Sequence, residues 1–223
     1  MKIVCLGDST TYGYMVNRNQ VWTSILNTKF NNSNIQFINK GINGDTISGM
    51  YFRFDNDVIN EKPNTLILMG GVNDIFLFKP LENIKKSFID IVDKSKERNI
   101  DIIAFTPIPF IKEDFTFFEV GNLEEMYNIL IEYVNFINSY TKENNIKSID
   151  IYNMFRNEIL KEYKYYDLYF DGVHLNSEGH DVFSSYIFER LKEYIKQKDS
   201  LLFSFIKIKP NKSGRLFMKN TNY

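Results

Sequence analysis

Short apolar runs recur along the chain, each bounded by polar or turn residues, and this pattern is typical of strands buried on both faces. Five runs predict strands, at Lys2 to Leu6, Ile35 to Ile38, Thr65 to Met69, Asp101 to Phe105, and Lys147 to Ile151. The segments between the runs have a different hydrophobic period. The chain therefore alternates between two kinds of element.

The intervening segments place apolar residues at helical spacing and predict amphipathic helices. Three stripes carry the signal: Trp22, Ile25, Leu26 and Phe30; Ile84, Phe88, Ile91 and Val92; and Met126, Ile129, Leu130, Tyr133, Val134 and Ile137. A last long helix is predicted from Asn176 to Tyr194, with Asn176 or Ser177 as its N-cap.

Strands that alternate with helices favour right-handed crossovers and a parallel sheet covered on both faces, which is a three-layer α/β/α domain. In this architecture ligands bind at the carboxyl ends of the strands. Four segments follow predicted strands there: "GDSTTYGY", "NKGINGDT", "GGVND" and "TPIPF". We expect the functional site to be built from these segments.

Composition separates the C-terminal end from the rest of the chain. The 223 residues are 43% hydrophobic with a net charge of −1, which favours one compact domain and gives no overall attraction for nucleic acid. Residues 196–223 nevertheless contain seven Lys or Arg and one acid, Asp199. We predict a domain over residues 1–195 and a basic, apolar extension over 196–223, whose residues 201–220 show no helical period. That extension is interpreted as an added strand, a contact between copies of the chain, a membrane-surface segment or a flexible tail.

The single cysteine, Cys5, lies in an apolar run and cannot form an internal disulfide, which predicts a buried thiol in a reducing compartment. No basic leader with an apolar core precedes the first strand. No apolar run approaches the roughly 20 residues of a membrane-spanning helix. We therefore expect a cytoplasmic protein without a transmembrane segment.

Ser9 has the sequence context of a catalytic nucleophile, because it directly follows a buried strand. The chain has two histidines, His174 and His180, so the choice of a general base is narrow. His174 follows Asp171 by three residues, a spacing that lets the carboxylate reach Nδ1 and leaves Nε2 free to face a serine. We predict Ser9, His174 and Asp171 as catalytic residues and His180 as a structural or surface residue.

Hydrolysis at a serine also needs donors for an oxyanion. The amide of Asn73 and the backbone N–H groups of Gly44 and Ser9 are the candidates. The alternatives are that Asn73 only shapes a turn and that Ser9 only caps the following helix. Asp8 is predicted to be a capping or loop group, and Asp74 to order its loop.

The segments "GDST", "GINGDT", "GVND" and "DGVH" resemble the four sequence blocks of the SGNH or GDSL hydrolases, in the right order over residues 2 to about 190. The resemblance implies a flavodoxin-like sheet in the order 2-1-3-4-5. It also implies a Ser9 nucleophile, an oxyanion hole from Ser9, Gly44 and Asn73, and a His174–Asp171 pair, without metal or cofactor. Thr10 departs from the family, which has leucine there.

Two aromatic-rich segments are candidates for the walls of the site. Phe110, Phe115, Phe117, Tyr165, Tyr166 and Tyr169 would form an acyl slot or a platform for a sugar. From these we single out Phe110, Phe115, Tyr166 and Tyr169 as substrate-binding residues. The alternative is that they pack on the outer face of the domain.

The residues and the resemblance together predict a serine ester hydrolase that acts through an acyl-enzyme. Its small-molecule substrate would be a short-chain ester, a lysophospholipid or an acetylated carbohydrate. A non-catalytic binder of acylated or glycan ligands is the alternative. A nucleotide-binding protein is disfavoured, because neither G-x-G-x-x-G nor a Walker A sequence follows any predicted strand.

Overall fold

A computed structural model describes residues 1–31, 33–114 and 123–207, with side chains described as far as Lys196 and at Lys198. The chain divides into two compact units, and the boundary along the sequence lies between Ser185 and Tyr186. The second unit, as far as it is described, is the C-terminal part of the last helix. The predicted boundary at residue 195 stays a prediction.

One sheet of five parallel strands lies in the described part of the first unit, in the order β2-β1-β3-β4-β5. The strands are β1 Lys2–Gly7, β2 Gln36–Gly41, β3 Thr65–Met69, β4 Asp101–Phe105 and β5 Lys147–Ile149. The predicted fold class and strand order are confirmed. Since β1 lies between β2 and β3, the loops that leave these three strands are neighbours at the carboxyl edge.

Helices fill the connections between the strands. They are α1 Ser9–Tyr12, α2 Trp22–Lys29, α3 Ile47–Phe52, α4 Phe54–Asp57, α5 Val72–Phe76, α6 Leu81–Glu97, α7 Leu123–Glu143, α8 Ile151–Met154, α9 Leu160–Glu162, α10 Tyr165–Leu168 and α11 Ser177–Lys207. Short 3₁₀ turns occur at Arg18–Gln20, Ile59–Glu61 and Lys112–Asp114, and a π turn at Phe155–Ile159. Among the described residues, no helix combines the length and apolar composition that crossing a membrane requires.

The core lies on both faces of the sheet, because successive strand side chains point to opposite sides. On one face, Val4 and Leu6 belong to the same apolar cluster as Phe88 of α6 and Leu130 of α7. On the other face, the ring of Trp22 packs on Phe105 and Phe183, with centroids 6.2 and 5.6 Å away. Cys5 is fully buried, as predicted, and burial raises the pKa of its thiol.

β2 ends at Gly41, three residues beyond its predicted end at Ile38, and two further element ends differ from the structure for local reasons. β5 stops at Ile149 because the Asp150 side chain accepts a hydrogen bond from the Asn153 N–H and so starts α8. α11 continues to Lys207, well past the predicted end at Tyr194. No glycine or proline interrupts residues 180–207, so the helix propagates. The added-strand interpretation is therefore wrong for residues 201–207, which are helical, while 208–223 lie outside the described residues.

Candidate active site

The end of β1 places Ser9 at the first position of a helix. Asp8 is the N-cap of α1, and its Oδ1 accepts a hydrogen bond of 3.0 Å from the backbone N–H of Thr10. The capping role predicted for Asp8 is confirmed, and the alternative in which Ser9 caps the helix is wrong. The side chain of Ser9 is thereby free for other contacts, and its own N–H has no intrahelical acceptor.

The structure brings together Ser9, His174 and Asp171, the three side chains predicted as catalytic. The Nε2 atom of His174 lies 3.1 Å from the Oγ atom of Ser9. On the other side of the ring, Nδ1 lies 2.7 Å from the Oδ2 atom of Asp171. Residues 165 positions apart in the chain therefore form one continuous hydrogen-bonded series.

The Asp171 carboxylate is held by its own loop. Its Oδ1 atom accepts hydrogen bonds from the backbone N–H groups of Val173 and His174, at 3.0 and 2.8 Å. Partial burial by itself raises the pKa of Asp171. The hydrogen bonds from the His174 ring and from the two backbone N–H groups outweigh burial, so the pKa lies below its ordinary value. Asp171 therefore stays ionised and keeps Nδ1 protonated.

Tyr14 is a site residue that the sequence analysis did not assign. Gly13 ends α1 with a φ of +83°, and this left-handed turn directs the chain towards the histidine. The Tyr14 ring then lies against the His174 ring, with centroids 4.5 Å apart and the planes inclined by 43°. The "TYGY" segment, an aromatic residue after a helix-ending glycine, carried the only signal.

The candidate oxyanion donors come from the loops on either side of β1. Gly44, after β2, is exposed with a φ of +72°, and a Cβ there would meet no atom within 4 Å. Asn73, after β3, donates one hydrogen bond of 2.8 Å from Nδ2 to the backbone carbonyl of Asp45. An amide NH₂ has two hydrogens, so Asn73 keeps a second one to donate.

Two buried carboxylates support these loops. Asp74 accepts from the backbone N–H of Ile47 at 2.8 Å and from Lys79 Nζ at 3.2 Å, and so orders its loop, as predicted. Burial raises the pKa of Asp74 despite these hydrogen bonds. Burial likewise raises the pKa of Asp8 to about 6, although hydrogen bonds from Thr10 oppose it.

His180 lies apart from this group. It is 1% exposed, and its Nδ1 accepts a hydrogen bond of 3.4 Å from the backbone N–H of Trp22. Burial lowers the pKa of His180 to about 4. The ring is therefore neutral at ordinary pH and fastens α11 to the start of α2.

The aromatic residues predicted to bind substrate differ in their exposure: Phe110 and Tyr169 are buried, whereas Tyr166 is exposed. Phe110 is buried against Phe76 and lines a cavity of about 380 Å³ with Tyr127 and Arg156. Tyr169 is 4% exposed, and its hydroxyl donates to the backbone carbonyl of Pro109 at 3.0 Å.

The buried position of Tyr169 agrees with the packing alternative. Tyr166 is 62% exposed and available to a ligand. Phe115 and Phe117 lie outside the described residues, and Tyr165 is half-buried against the ring of Tyr166. Substrate contact by Phe110 and Tyr166 stays a prediction.

A serine, a histidine and an aspartate joined in this order at the carboxyl edge of a parallel sheet match the arrangement used by serine hydrolases. Residues 5–182 match the model of the GDSL-like Lipase/Acylhydrolase family. The chain belongs to this family, which confirms the resemblance seen in the sequence.

Individual relatives agree with that assignment. The chain is 28% identical to an acetylxylan esterase of Geobacillus stearothermophilus over 157 residues, 66% of this chain and 67% of the relative. It is 31% identical to the lipoprotein YqeF of Bacillus subtilis (strain 168) over 121 residues, 49% of each chain, so the match spans about half of that relative. The structure of a G-D-S-L family protein from Desulfitobacterium hafniense DCB-2 superposes with a TM-score of 0.71 at 26% identity, covering 84% of this chain and 98% of the other.

Proposed function

We propose that the chain hydrolyses carboxylic esters through an acyl-enzyme on Ser9. The observation that carries this proposal is the Ser9–His174–Asp171 series, with heavy-atom distances of 3.1 and 2.7 Å. These separations are within the range in which a base takes a proton from a nucleophile. Membership of an acylhydrolase family supports the same chemistry.

In the first half of the reaction, Ser9 Oγ attacks the ester carbonyl carbon while His174 Nε2 takes the hydroxyl proton. Asp171 stabilises the imidazolium that forms and fixes the ring orientation. The tetrahedral intermediate then collapses, the bond to the leaving alcohol breaks, and His174 returns the proton to the alcohol oxygen. The acyl group remains on Ser9.

The negative charge of the tetrahedral intermediate falls on the former carbonyl oxygen. The N–H of Ser9, the N–H of Gly44 and the second amide hydrogen of Asn73 are the donors for it. The strand order supports this choice of donors, because β2, β1 and β3 are neighbours and the three loops that follow them lie at one edge of the sheet. Fixed donors stabilise the developing charge without reorganising during the reaction.

In the second half, a water molecule replaces the alcohol. His174 takes a proton from the water as it attacks the acyl carbon, and then returns that proton to Ser9 Oγ. The products are a carboxylic acid and the regenerated serine.

For the substrate we propose a small acyl ester, with the acetyl group of an acetylated carbohydrate as the first candidate. The acetylxylan esterase relative supports acetyl as the acyl group. Tyr14, 36% exposed beside His174, offers a ring to a leaving group such as a sugar. Short-chain esters and lysophospholipids are the other candidates.

The test of the reaction compares wild type with Ser9→Ala and with a control, Ser185→Ala. Ser185 lies on α11, where its hydroxyl donates to the Asp181 backbone carbonyl at 3.0 Å. On p-nitrophenyl acetate, Ser9→Ala should lose at least about 10³-fold in kcat while the control stays active. Undiminished turnover by Ser9→Ala would contradict the proposal.

The test of the substrate is a panel of p-nitrophenyl esters from acetate to palmitate, run beside acetylated xylo-oligosaccharides and a lysophospholipid. We expect the highest kcat/KM on acetyl esters. A preference for palmitate or for the lysophospholipid would refute the acetyl assignment and leave the acyl-enzyme chemistry intact.

A further inference from the structure

We propose that Arg53 is a positioning residue for the oxyanion hole. This inference rests on the proposed function and concerns how its donors are held. Arg53 lies between α3 and α4 and touches neither Ser9 nor His174 in any described contact. Its guanidinium group instead joins the strand end that precedes the nucleophile to the loop that carries the other donors.

The guanidinium group makes four hydrogen bonds. Nη2 donates to the backbone carbonyl of Gly7 at 2.9 Å, and Nη1 donates to that of Lys40 at 2.9 Å. Nε donates to Oδ2 of Asp45 at 2.7 Å, and Nη1 also donates to Oδ2 of Asp57 at 2.7 Å. One planar group therefore fixes the ends of β1 and β2 relative to each other.

Asp45 passes this constraint to the oxyanion donors. It directly follows Gly44, and its backbone carbonyl accepts the Nδ2 hydrogen bond of Asn73 at 2.8 Å. Its other carboxylate oxygen accepts from the N–H of Thr46 at 2.9 Å. The side chains of Arg53 and Asp45 are only 12% and 11% exposed, so their pair is little weakened by solvent. Any rotation of Asp45 would displace both donors.

The reaction is sensitive to such a displacement, because oxyanion donors act through preformed geometry and the loss of one donor costs about 10²–10³-fold in kcat. Lysine cannot replace Arg53, since an ammonium group is a point charge that does not span the four separate acceptors reached by the guanidinium group. Arg53→Lys keeps the positive charge beside Asp45 and removes the planar set of N–H donors. We expect kcat to fall about 10- to 100-fold.

Whether the loss of activity in Arg53→Lys affects kcat or KM distinguishes a positioning role from a general structural role. A donor shift weakens the transition state more than the bound ester, so KM should change by less than about three-fold. The pH profile of kcat should keep its shape, because the His174–Asp171 pair is not touched. The rate of Ser9 phosphonylation by a p-nitrophenyl alkylphosphonate, which also places charge on an oxyanion, should fall in parallel with kcat.

Asp57→Asn is the matched control. Asp57 is four residues after Arg53, and the substitution weakens only the hydrogen bond from Arg53 Nη1 to Asp57 Oδ2. The hydrogen bonds from Arg53 to Gly7 and Asp45 stay in place. We expect kcat within about two-fold of wild type. Asp45→Asn is the second variant, because it breaks the ion pair from the other side. It should reproduce the kcat loss of Arg53→Lys even if that variant folds poorly.

Wild-type kcat in a folded Arg53→Lys or Asp45→Asn variant would overturn the proposal. An equal loss of kcat in Asp57→Asn would also overturn it, because the effect would then follow stability and not the oxyanion loop. A wild-type protein without esterase activity or Ser9 labelling would instead refute the proposed function, and the Arg53 role with it.

Discussion

Replacing Asp8 with asparagine should make the protein more stable, and increasingly so as the pH rises. Asp8 is 4% exposed, and its Oδ1 accepts the N–H of Thr10 at the start of α1. Asparagine is an equally good N-cap, so Asp8→Asn preserves this hydrogen bond. The substitution removes the negative charge and replaces the second carboxylate oxygen with an amide NH₂.

The magnitude follows from the pKa of Asp8, which burial raises from 3.8 to about 6. In the folded protein the carboxyl therefore holds its proton at pH values where the unfolded chain has lost it. The stability that this protonation contributes is fully present below about pH 4 and is lost as the pH rises through about 6. A shift of about two pKa units corresponds to about 3 kcal/mol.

The assay is urea unfolding of wild type and Asp8→Asn from about pH 4 to pH 8. Trp22, the single tryptophan, is fully buried and reports by its fluorescence on the unit that contains Asp8. Titrating groups that do not interact with Asp8 cancel in the difference between the two proteins. The variant should gain about 3 kcal/mol relative to wild type across this range, reaching a plateau above about pH 7. A pH-independent difference, or one of the opposite sign, would refute the assignment of a buried, destabilised carboxylate.

Three further predictions follow from the geometry. Asp171→Asn should lower kcat on p-nitrophenyl acetate by about 10⁴-fold while the protein stays folded, because an amide does not hold the same histidine tautomer; an activity near wild type would contradict this. Gly71→Ala should lower the free energy of unfolding, measured in urea, by more than about 2 kcal/mol, since φ is +113° and the new Cβ would lie 2.4 Å from Tyr133 Cε1. Gly44→Ala should lower it by only about 1 kcal/mol, because φ is +72° and the new Cβ would meet no atom within 4 Å. His180, with a pKa lowered to about 4, contributes stability above about pH 6.5 that is lost as the pH falls towards 4, and His180→Asn should remove this dependence from the unfolding curves; an unchanged slope would speak against a buried neutral ring.

The fold was predictable where sequence and burial coincide. β3 and β4 have the predicted bounds, because the run of β3 lies between Asn64 and a pair of glycines, and the run of β4 begins at the polar Asp101 and ends before Thr106. The ends of β2, β5 and α11 were missed. Asp150 was predicted as a strand residue, but its side chain accepts a hydrogen bond from the Asn153 N–H and so makes it a helix cap. α11 continues through a segment whose apolar residues have no clear period, which a helix without glycine or proline tolerates.

The candidate site was predictable in part for the same kind of reason. Ser9, Asp171 and His174 stand out because few residues of their types follow strand ends or precede the last helix. Arg53 carries no local signal, and Tyr14 has only that of an aromatic residue after a helix-ending glycine. Arg53 lies 46 positions from Gly7, and its contacts exist only because β1 and β2 are neighbours in the sheet.

Covalent labelling of Ser9 tests the acyl-enzyme most directly. The purified chain is treated with a p-nitrophenyl alkylphosphonate, and the adduct is located by mass spectrometry of its peptides. We predict one phosphonyl group per chain, on Ser9, formed as esterase activity is lost and strongly slowed in His174→Ala. A folded protein that gains no adduct on Ser9, or that loses activity through an adduct elsewhere, would contradict the proposed nucleophile.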